Sequence, residues 1–325
     1  MNHKAITIQK VIVVITLLLT AAKFVAYGIT HSNTILTDAL ESIVNIITSV
    51  FALYSIYIAS KPRDNNHPYG HGKIEFIAAG MEGMLIVASG IIIIAKSATN
   101  FFHPSTIDHI WIGSIVIAVT GIVNLIIGRY MVKKGKELNS IALEADGKHI
   151  YSDFMLSASV IIGAGILYIT KLAWLDSVIA IIISLWIIFM GARLIRQSLK
   201  GIMDEADDEI LGELISTINK IRKDQWIDIH NMRMIQYGKT LHIDCHMTLP
   251  WYISLDEAHE EIDTIDKKIN ELHPGELEFF IHADPCIPNS CKICCISSCK
   301  ERKEAFTHKV DWTLETLLIN KKHGS

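Results

Sequence analysis

Paired polar side chains recur four residues apart inside two strongly apolar stretches of the chain. Glu41 and Asn45 form one pair, with Asp38 a turn earlier on nearly the same stripe, and His149 and Asp153 form the other. Residues four apart share one face of a helix, so two such helices can turn their pairs toward one cation. A four-ligand site of nitrogen and oxygen atoms suits Zn²⁺ and tolerates Fe²⁺ or Cd²⁺. The alternative, contact with water at helix ends, explains a single charge better than two pairs, because buried charges are costly unless paired or functional.

Three further charged residues lie in apolar stretches without a comparable partner in the sequence: Lys23, Glu82 and Asp176. An ionisable group at membrane depth indicates a site most clearly where its partner can be named. We therefore interpret these three as packing or interface residues and leave them outside the predicted site.

A short polar segment after the second apolar stretch holds one carboxylate and two imidazoles, on Asp64, His67 and His71. Pro68 and Gly70 favour a tight turn, so that the three side chains can face one ion. The simpler interpretation is a basic cytosolic loop that binds no metal. We predict a second metal site here.

Five more candidate ligands lie in the polar part of the chain: His230, His246, His259, His282 and Asp284. His246 falls on a predicted strand, and His282 and Asp284 share one face of another, because strand side chains alternate with a period of two. Unrelated surface histidines are the alternative, and the residues alone leave both interpretations open.

Five cysteines cluster after this region: Cys286, Cys291, Cys294, Cys295 and Cys299. The Cys-x-x-Cys spacing of Cys291 and Cys294, with further thiols nearby, supplies enough thiolates for a tetrahedral soft-metal site. In a reducing cytosol a disulfide framework is less expected than metal ligation. The spacing is not that of a standard zinc ribbon, and free or redox-active thiols are the alternative.

The elements that must position these residues follow from the distribution of apolar residues. Of the 325 residues 50% are hydrophobic, the mean hydropathy is +0.34, and the apolar residues crowd into residues 8–200, whereas 201–325 resemble an ordinary soluble protein. This asymmetry indicates a membrane protein with a separate polar domain. The net charge of −4 gives no sign of a nucleic-acid partner.

Six stretches are long enough to cross a bilayer core, which takes roughly 20 apolar residues each. They are Val11–Ile29, Ile35–Ala59, Ile74–Ala98, Ile110–Ile127, Ile141–Ile169 and Leu172–Leu194. Lysines and arginines concentrate in alternate connections, which by the positive-inside rule predicts that both termini face the cytosol. We expect a multi-pass transmembrane domain of six helices over residues 1–200, embedded in membrane lipid.

Residues 201–285 alternate between helical and strand patterns in the order helix, strand, strand, helix, strand. The predicted elements are Asp204–Lys223, Trp226–Gln236, Thr240–Leu249, Leu255–Leu272 and Leu277–Ile281. This order indicates a small cytosolic α+β domain of ferredoxin-like type. Residues 286–325 form a Cys-rich tail in which Phe306–Asn320 is predicted to be a terminal amphipathic helix.

The combined motifs resemble the cation diffusion facilitator family over residues 8–285. They are the acidic-x-x-x-polar pair of the second helix, His149-x-x-x-Asp153, and the loop Asn66–Glu75. The resemblance implies a homodimeric antiporter with six transmembrane helices per protomer, which exports Zn²⁺ or a similar ion in exchange for protons. It also implies transport-site roles for Glu41, Asn45, His149 and Asp153. A loop metal site (Asp64, His67, His71) and a cytosolic zinc pair (His230, His246, His259, His282, Asp284) are implied in the same way.

The chain departs from the family at the second helix. Well-known zinc-moving members resemble Asp-x-x-x-Asp or His-x-x-x-Asp there, whereas this chain has Glu41 and Asn45. A neutral amide oxygen favours Fe²⁺ or Mn²⁺, while His149 favours zinc. Asp38 could also replace Asn45 as a ligand. We therefore expect zinc first, with iron, manganese or cadmium as alternative cargo.

Proton exchange follows from the ligand chemistry, because the ligands must be deprotonated to bind metal and an imidazole titrates at ~6.5. Two other functions compete: a membrane-bound metal sensor and an intramembrane metalloenzyme. The segment His259–Asp263 resembles half of a zincin motif but lacks the second histidine, and no nucleophile motif is present, so we expect no enzyme. Short loops favour a bacterial inner membrane.

Overall fold

The computed structural model describes residues 3–30, 33–102, 110–170, 173–237, 240–272 and 277–323. Within these ranges it describes all side chains except those of residues 30, 33–38, 41, 100–102, 110–117, 160, 163–164, 167–169, 173, 176 and 272. The chain forms two compact units, Met1–Ile202 and Met203–Ser325. We refer to them as the helical unit and the α+β unit.

The described part of the helical unit consists of six long helices in sequence order. They are α1 (His3–Thr30), α2 (Asn33–Ala59), α3 (Ile74–Phe102), α4 (Ile110–Glu137), α5 (Ile141–Thr170) and α6 (Ala173–Ile202). The prediction of six helices is confirmed, because each predicted stretch overlaps one of them.

Within the part of the chain that the structure describes, four of these helices are long and apolar enough to cross a membrane, by length and composition alone. The spans are His3–Ile29, Ser42–Ala59, Ile74–Thr99 and Ser177–Ile202. The first half of α5 contains Glu144, Asp146, Lys148, His149 and Asp153, which lower its hydropathy. An interior helix of a bundle can carry such groups, because its neighbours rather than lipid surround them.

The surface of the helical unit is apolar, as a surface facing lipid tails should be. Leu18, Ile126 and Phe189 are each about two-thirds exposed, at 66%, 64% and 65%. Inside, small residues allow close approach of the helices. A Cβ on Gly147 would lie 2.7 Å from Met131 Cβ, so α5 contacts α4 closely two residues before His149.

The α+β unit contains α7 (Asp208–Ile221), α8 (Leu255–Leu272) and a three-stranded sheet. The sheet order is β1 (Asp228–Tyr237), β2 (Thr240–Leu249), β3 (Leu277–Pro285), with β1 antiparallel and β3 parallel to β2. The predicted order of elements is confirmed, although α7 begins at Asp208, where Asp207 caps it through its side chain.

The predicted amphipathic helix Phe306–Asn320 is wrong. Only Leu314–Leu317 is α-helical there, as α9, and residues 306–313 are neither helix nor strand. Val310 and Trp312 are buried while Asp311 and Thr313 between and after them are exposed, which is the period of two of an extended chain. Side chains at the C-terminal end of α7 hydrogen-bond to this backbone: Asn219 donates to the Trp312 carbonyl, and Arg222, which directly follows the helix, donates to the Val310 carbonyl.

Candidate metal centres

The polar residues of α2 and α5 meet inside the helical unit. His149 Nε2 lies 2.9 Å from Asn45 Oδ1, and Asn45 Nδ2 donates to Asp153 Oδ2 at 2.6 Å. His149 is 4% exposed. Three of the predicted transport-site residues therefore lie within hydrogen-bond distance in one cluster, which we call the membrane cluster. Their atoms, an imidazole nitrogen, an amide oxygen and a carboxylate, are cation ligands.

Glu41 and Asp38 complete the predicted set but their side chains lie outside the described residues. Both are on α2, and Glu41 precedes Asn45 by four residues. Helical spacing gives Glu41 and Asn45 the same side of α2.

Glu82 of α3, which the sequence left outside the site, contacts the same histidine. Its Oε2 lies 3.4 Å from His149 Nδ1, and its side chain is 3% exposed. Both ring nitrogens of His149 thus face an oxygen, Nδ1 that of Glu82 and Nε2 that of Asn45. A carboxylate behind an imidazole fixes the ring orientation and raises its basicity toward a metal.

Asp146 forms a second polar layer one helical turn before His149. Ser49 Oγ donates to both of its carboxylate oxygens at 3.0 Å, and the Gln9 amide also donates to it. This fully buried carboxylate connects α5 with α2 and α1. The sequence signal for it was available, since Asp146 and His149 are three residues apart on α5.

The loop between α2 and α3 brings its three predicted ligands together. Asp64 Oδ1 lies 3.1 Å from His67 Nδ1, and Asp64 Oδ2 lies 3.3 Å from His71 Nε2. Gly70 has a φ of 97°, in the left-handed region that glycine tolerates. The backbone N–H of His67 lowers the pKa of Asp64 by donating to its carboxylate, so the ionised form that binds cations is favoured.

In the α+β unit, strand register brings together histidines that are far apart in sequence. His230 pairs with His246 and His246 with His282 across the sheet. His246 Nδ1 lies 3.2 Å and His230 Nε2 3.5 Å from Asp284 Oδ2. Ligand atoms of His230, His246 and Asp284 lie within 4.8 Å of one another, and we call this group the sheet cluster.

The two other predicted ligands of this unit differ in position. His282 is beside the sheet cluster, with its ring 4.8 Å from the His246 ring and Nε2 3.7 Å from Asp284 Oδ1. His259 lies on α8, where its side chain is 72% exposed and pairs with Asp263 at 3.7 Å. The structure therefore brings four of the five predicted residues together and leaves His259 apart.

Sequence reasoning missed three residues that surround the sheet cluster. Asp228 Oδ2 lies 3.4 Å from His230 Nδ1, and its Oδ1 lies 2.7 Å from His323 Nδ1. Lys322 Nζ is 3.4 Å from Asp284 Oδ2. Asp228 is the first residue of β1 and lies two positions before His230, so strand periodicity places both on one face. Only the fold shows that residues 322 and 323 return to the sheet.

The tail thiols are free in this structure. Cys286, Cys291, Cys294 and Cys299 line one cavity of about 210 Å³, whereas Cys295 does not line it. Burial raises the pKa of the Cys286 and Cys294 thiols. The sixth cysteine, Cys245, is buried within β2, and burial raises the pKa of its thiol well above the usual range.

A bundle of apolar helices with a buried cluster of imidazole, amide and carboxylate groups, followed by a small domain with its own histidine–carboxylate cluster, has the groups that a membrane protein handling metal cations needs. Comparisons with known proteins point to the same class of protein. Residues 10–203 match the family model described as the cation efflux transmembrane domain, and residues 206–286 match the cytoplasmic domain of cation efflux proteins. The chain therefore belongs to the cation diffusion facilitator family of cation efflux transporters, which move divalent metal ions.

Curated relatives cover most of the chain. An uncharacterized transporter of Synechocystis is 30% identical over 254 residues, which are 78% of this chain and 82% of the relative. The cation-efflux pump FieF of Shewanella oneidensis is 28% identical over 269 residues, covering 83% and 90%. FieF of Escherichia coli K12 is 27% identical over 278 residues, covering 83% and 89%. The resemblance expected from the motifs is confirmed.

Proposed function

We propose that this chain is a metal/proton antiporter that exports a divalent transition-metal ion, zinc in the first place, from the cytosol. Iron, manganese and cadmium are the alternative cargo ions. The observation that carries the proposal is the membrane cluster, in which Asn45, His149 and Asp153 meet at 2.9 and 2.6 Å between α2 and α5.

The transport site of this proposal consists of the membrane cluster and Glu41, with Asp38 as the substitute for Asn45. In the described cluster the ligand atoms are satisfied by one another through hydrogen bonds. A dehydrated cation would replace those hydrogen bonds with bonds to Nε2 of His149, the Asn45 amide oxygen and the Asp153 carboxylate. This exchange of partners is a physical basis for binding an ion at membrane depth.

Proton coupling follows from the same groups. Metal binding requires the neutral imidazole and ionised carboxylates, so protonation of these ligands expels the ion. Glu82 behind His149 gives the ring a partner whose own protonation changes the affinity of Nε2 for metal. Entry from the cytosol, release into a more acidic compartment and return with protons then complete one exchange.

Assembly and orientation belong to the same proposal. We infer a homodimer, with both termini in the cytosol and the helical unit in a bacterial inner membrane. The match to the cytoplasmic domain of cation efflux proteins and the FieF relatives support this arrangement. The loop residues Asp64, His67 and His71, and the sheet cluster with His282 and His259, serve as cytosolic metal sites that report the metal level to the dimer.

Reconstituted vesicles test the function directly. With a zinc dye inside and an acidic interior, the wild type should load zinc, and collapse of the pH gradient should stop loading. Asp153→Ala should abolish loading because it removes one ligand of the ion. Glu137→Ala, which removes an exposed acid at the end of α4, is the matched control and should load normally.

A metal sensor that does not transport is the second candidate, and the ligand clusters of the α+β unit and the loop favour it. It predicts zinc binding by the wild type without any loading of vesicles. That result, with intact protein, would reject the antiporter.

A further inference from the structure

The tail beyond the family match contains a cavity that the proposed transport does not use. The cytoplasmic-domain match ends at residue 286, and the loop that follows supplies Cys291, Cys294 and Cys299 to the cavity, while Cys286 at the end of the match supplies the fourth thiol. The spacing is Cys-x₄-Cys-x₂-Cys-x₄-Cys. The central Cys-x₂-Cys is a spacing of zinc sites, and Cys-x₄-Cys-x₂-Cys is also the spacing that begins plant-type iron–sulfur sites.

The loop is held in shape by one guanidinium. Arg302 Nη1 donates to the Cys291 carbonyl at 2.7 Å, and Nη2 donates to the carbonyls of Cys294 and Ile296, each at 2.9 Å. These bonds fix the backbone on both sides of the central Cys-x₂-Cys without involving any sulfur. The positive charge of Arg302, which also lines the cavity, stabilises thiolates there.

Two further groups donate to the sulfurs themselves. The backbone N–H of Lys303 donates to Cys291 Sγ at 3.3 Å, and the Tyr252 hydroxyl lies 3.7 Å from Cys299 Sγ. Hydrogen bonds to ligating sulfurs are the outer-shell contacts that orient and tune thiolate metal centres. Apolar side chains, including Ile227 and Ile296, line the rest of the cavity and limit access of water.

The fifth tail cysteine provides an internal comparison. Cys295 follows Cys294 directly, yet its Sγ contacts the Ile293 carbonyl at 3.9 Å and it is absent from the cavity lining. Nearness in sequence therefore does not explain why the other four share one space.

The four sulfurs are less close together than the ligand atoms of the loop site and the sheet cluster, because no three of them lie within 4.8 Å of one another. We propose that Cys286, Cys291, Cys294 and Cys299 close around a resident thiophilic metal centre and bind it through four thiolates, and that Cys295 is not a ligand. The ligand set shares no residue with the membrane cluster, the loop site or the sheet cluster. Each thiol loses its proton when it ligates. Two sources fit this ligand chemistry, a single Zn²⁺ ion or an iron–sulfur cluster assembled from iron and sulfide, and composition distinguishes them.

Metal analysis of the full-length protein, purified without oxygen, is the test. Zinc, iron and acid-labile sulfide are measured per protomer in the wild type, Cys294→Ser and Cys295→Ser. Loss of one equivalent of zinc in Cys294→Ser alone supports a zinc centre. Loss of iron and sulfide together, with the visible absorption of the wild type, supports a cluster. Equal metal content in both variants, or equal loss in both, would overturn the proposal.

A measurement on the wild type alone guards against misfolding of Cys294→Ser. Thiol labelling with a maleimide, read out by mass spectrometry before and after a strong metal chelator, follows each cysteine separately. The four cavity thiols should become labelled only after chelation, whereas labelling of Cys295 should not depend on the chelator. Labelling of the four thiols that is the same with and without chelator would contradict a metal centre.

Discussion

The membrane cluster and the sheet cluster use similar ligands but differ in how those ligands are held. In the membrane cluster the His149 side chain is 5% exposed and both of its ring nitrogens have oxygen partners on other helices. In the sheet cluster the His246 side chain is 35% exposed. The sheet cluster is therefore open to water at His246, whereas the membrane cluster must exchange internal hydrogen bonds to bind an ion. Exposure to water suits the sheet cluster to sensing a metal ion, and exchangeable internal hydrogen bonds suit the membrane cluster to carrying one.

Disrupting the sheet cluster while the membrane cluster stays intact should give the largest change in zinc affinity. We expect Asp284→Ala to lower zinc affinity of the sheet cluster by about 100-fold or more, because the carboxylate is shared by both histidines. Loading of vesicles at saturating zinc should stay within about twofold, since the membrane cluster is intact. Calorimetry and the vesicle assay measure the two quantities. Glu271→Ala, which removes an exposed acid of α8, is the matched control. A complete loss of loading in Asp284→Ala would show that the clusters are not separable.

A substitution at Glu82 tests whether α3 contributes to the transport site together with α2 and α5. Glu82→Gln keeps the size of the side chain but removes the charge behind His149, so we expect transport efficiency to fall about tenfold, as for outer partners of metal-ligating histidines. Initial rates over a range of zinc concentrations measure it. An unchanged rate would show that Glu82 only packs against His149 and does not affect transport.

Asn45 tests how the amide affects selectivity. Asn45→Asp adds a carboxylate between His149 and Asp153, and we expect the zinc-to-iron ratio of transport to change by several-fold, on the order of 1 kcal/mol, toward zinc. Competition between the two ions in the vesicle assay gives the ratio. Selectivity equal to that of the wild type would remove Asn45 from the ligands and favour Asp38.

The smallest expected change in zinc affinity comes from removing the Lys322 ammonium group beside the sheet cluster. A cation that binds Asp284 must displace Lys322, so Lys322→Met should raise zinc affinity by about threefold, in keeping with an ion pair of up to ~1 kcal/mol. Lys321→Met, its exposed neighbour, is the control. Titration of both variants measures the difference, and equal affinities would show that the ion pair with Asp284 does not oppose metal.

Helical and strand periodicity predicted those site residues that share an element. The i, i+4 pairs of α2 and α5 predicted the meeting of Asn45, His149 and Asp153, and alternation predicted the shared face of His282 and Asp284. Glu82 could not be found in this way, because its partner lies on another helix and only the packing of α3 against α5 brings them together.

The wrong predictions have physical causes in the α+β unit. The amphipathic pattern of Phe306–Asn320 predicts a helix, although Val310 and Trp312 alternate with exposed residues and their carbonyls accept hydrogen bonds from Arg222 and Asn219. His323 and Lys322 belong to the surroundings of the sheet cluster only because the chain after α9 returns to β1, where the Asn231 N–H donates to the Ile319 carbonyl. No local pattern encodes such a return.

A structure of the zinc-loaded protein in lipid, with the ion located by its anomalous scattering, tests the central claim most directly. The account predicts one ion in the membrane cluster, about 2.0–2.2 Å from His149 Nε2 and from an Asp153 oxygen. It also predicts that the hydrogen bond between Asn45 and Asp153 is broken. Zinc bound elsewhere in the helical unit, with Asn45 still bridging His149 and Asp153, would contradict it.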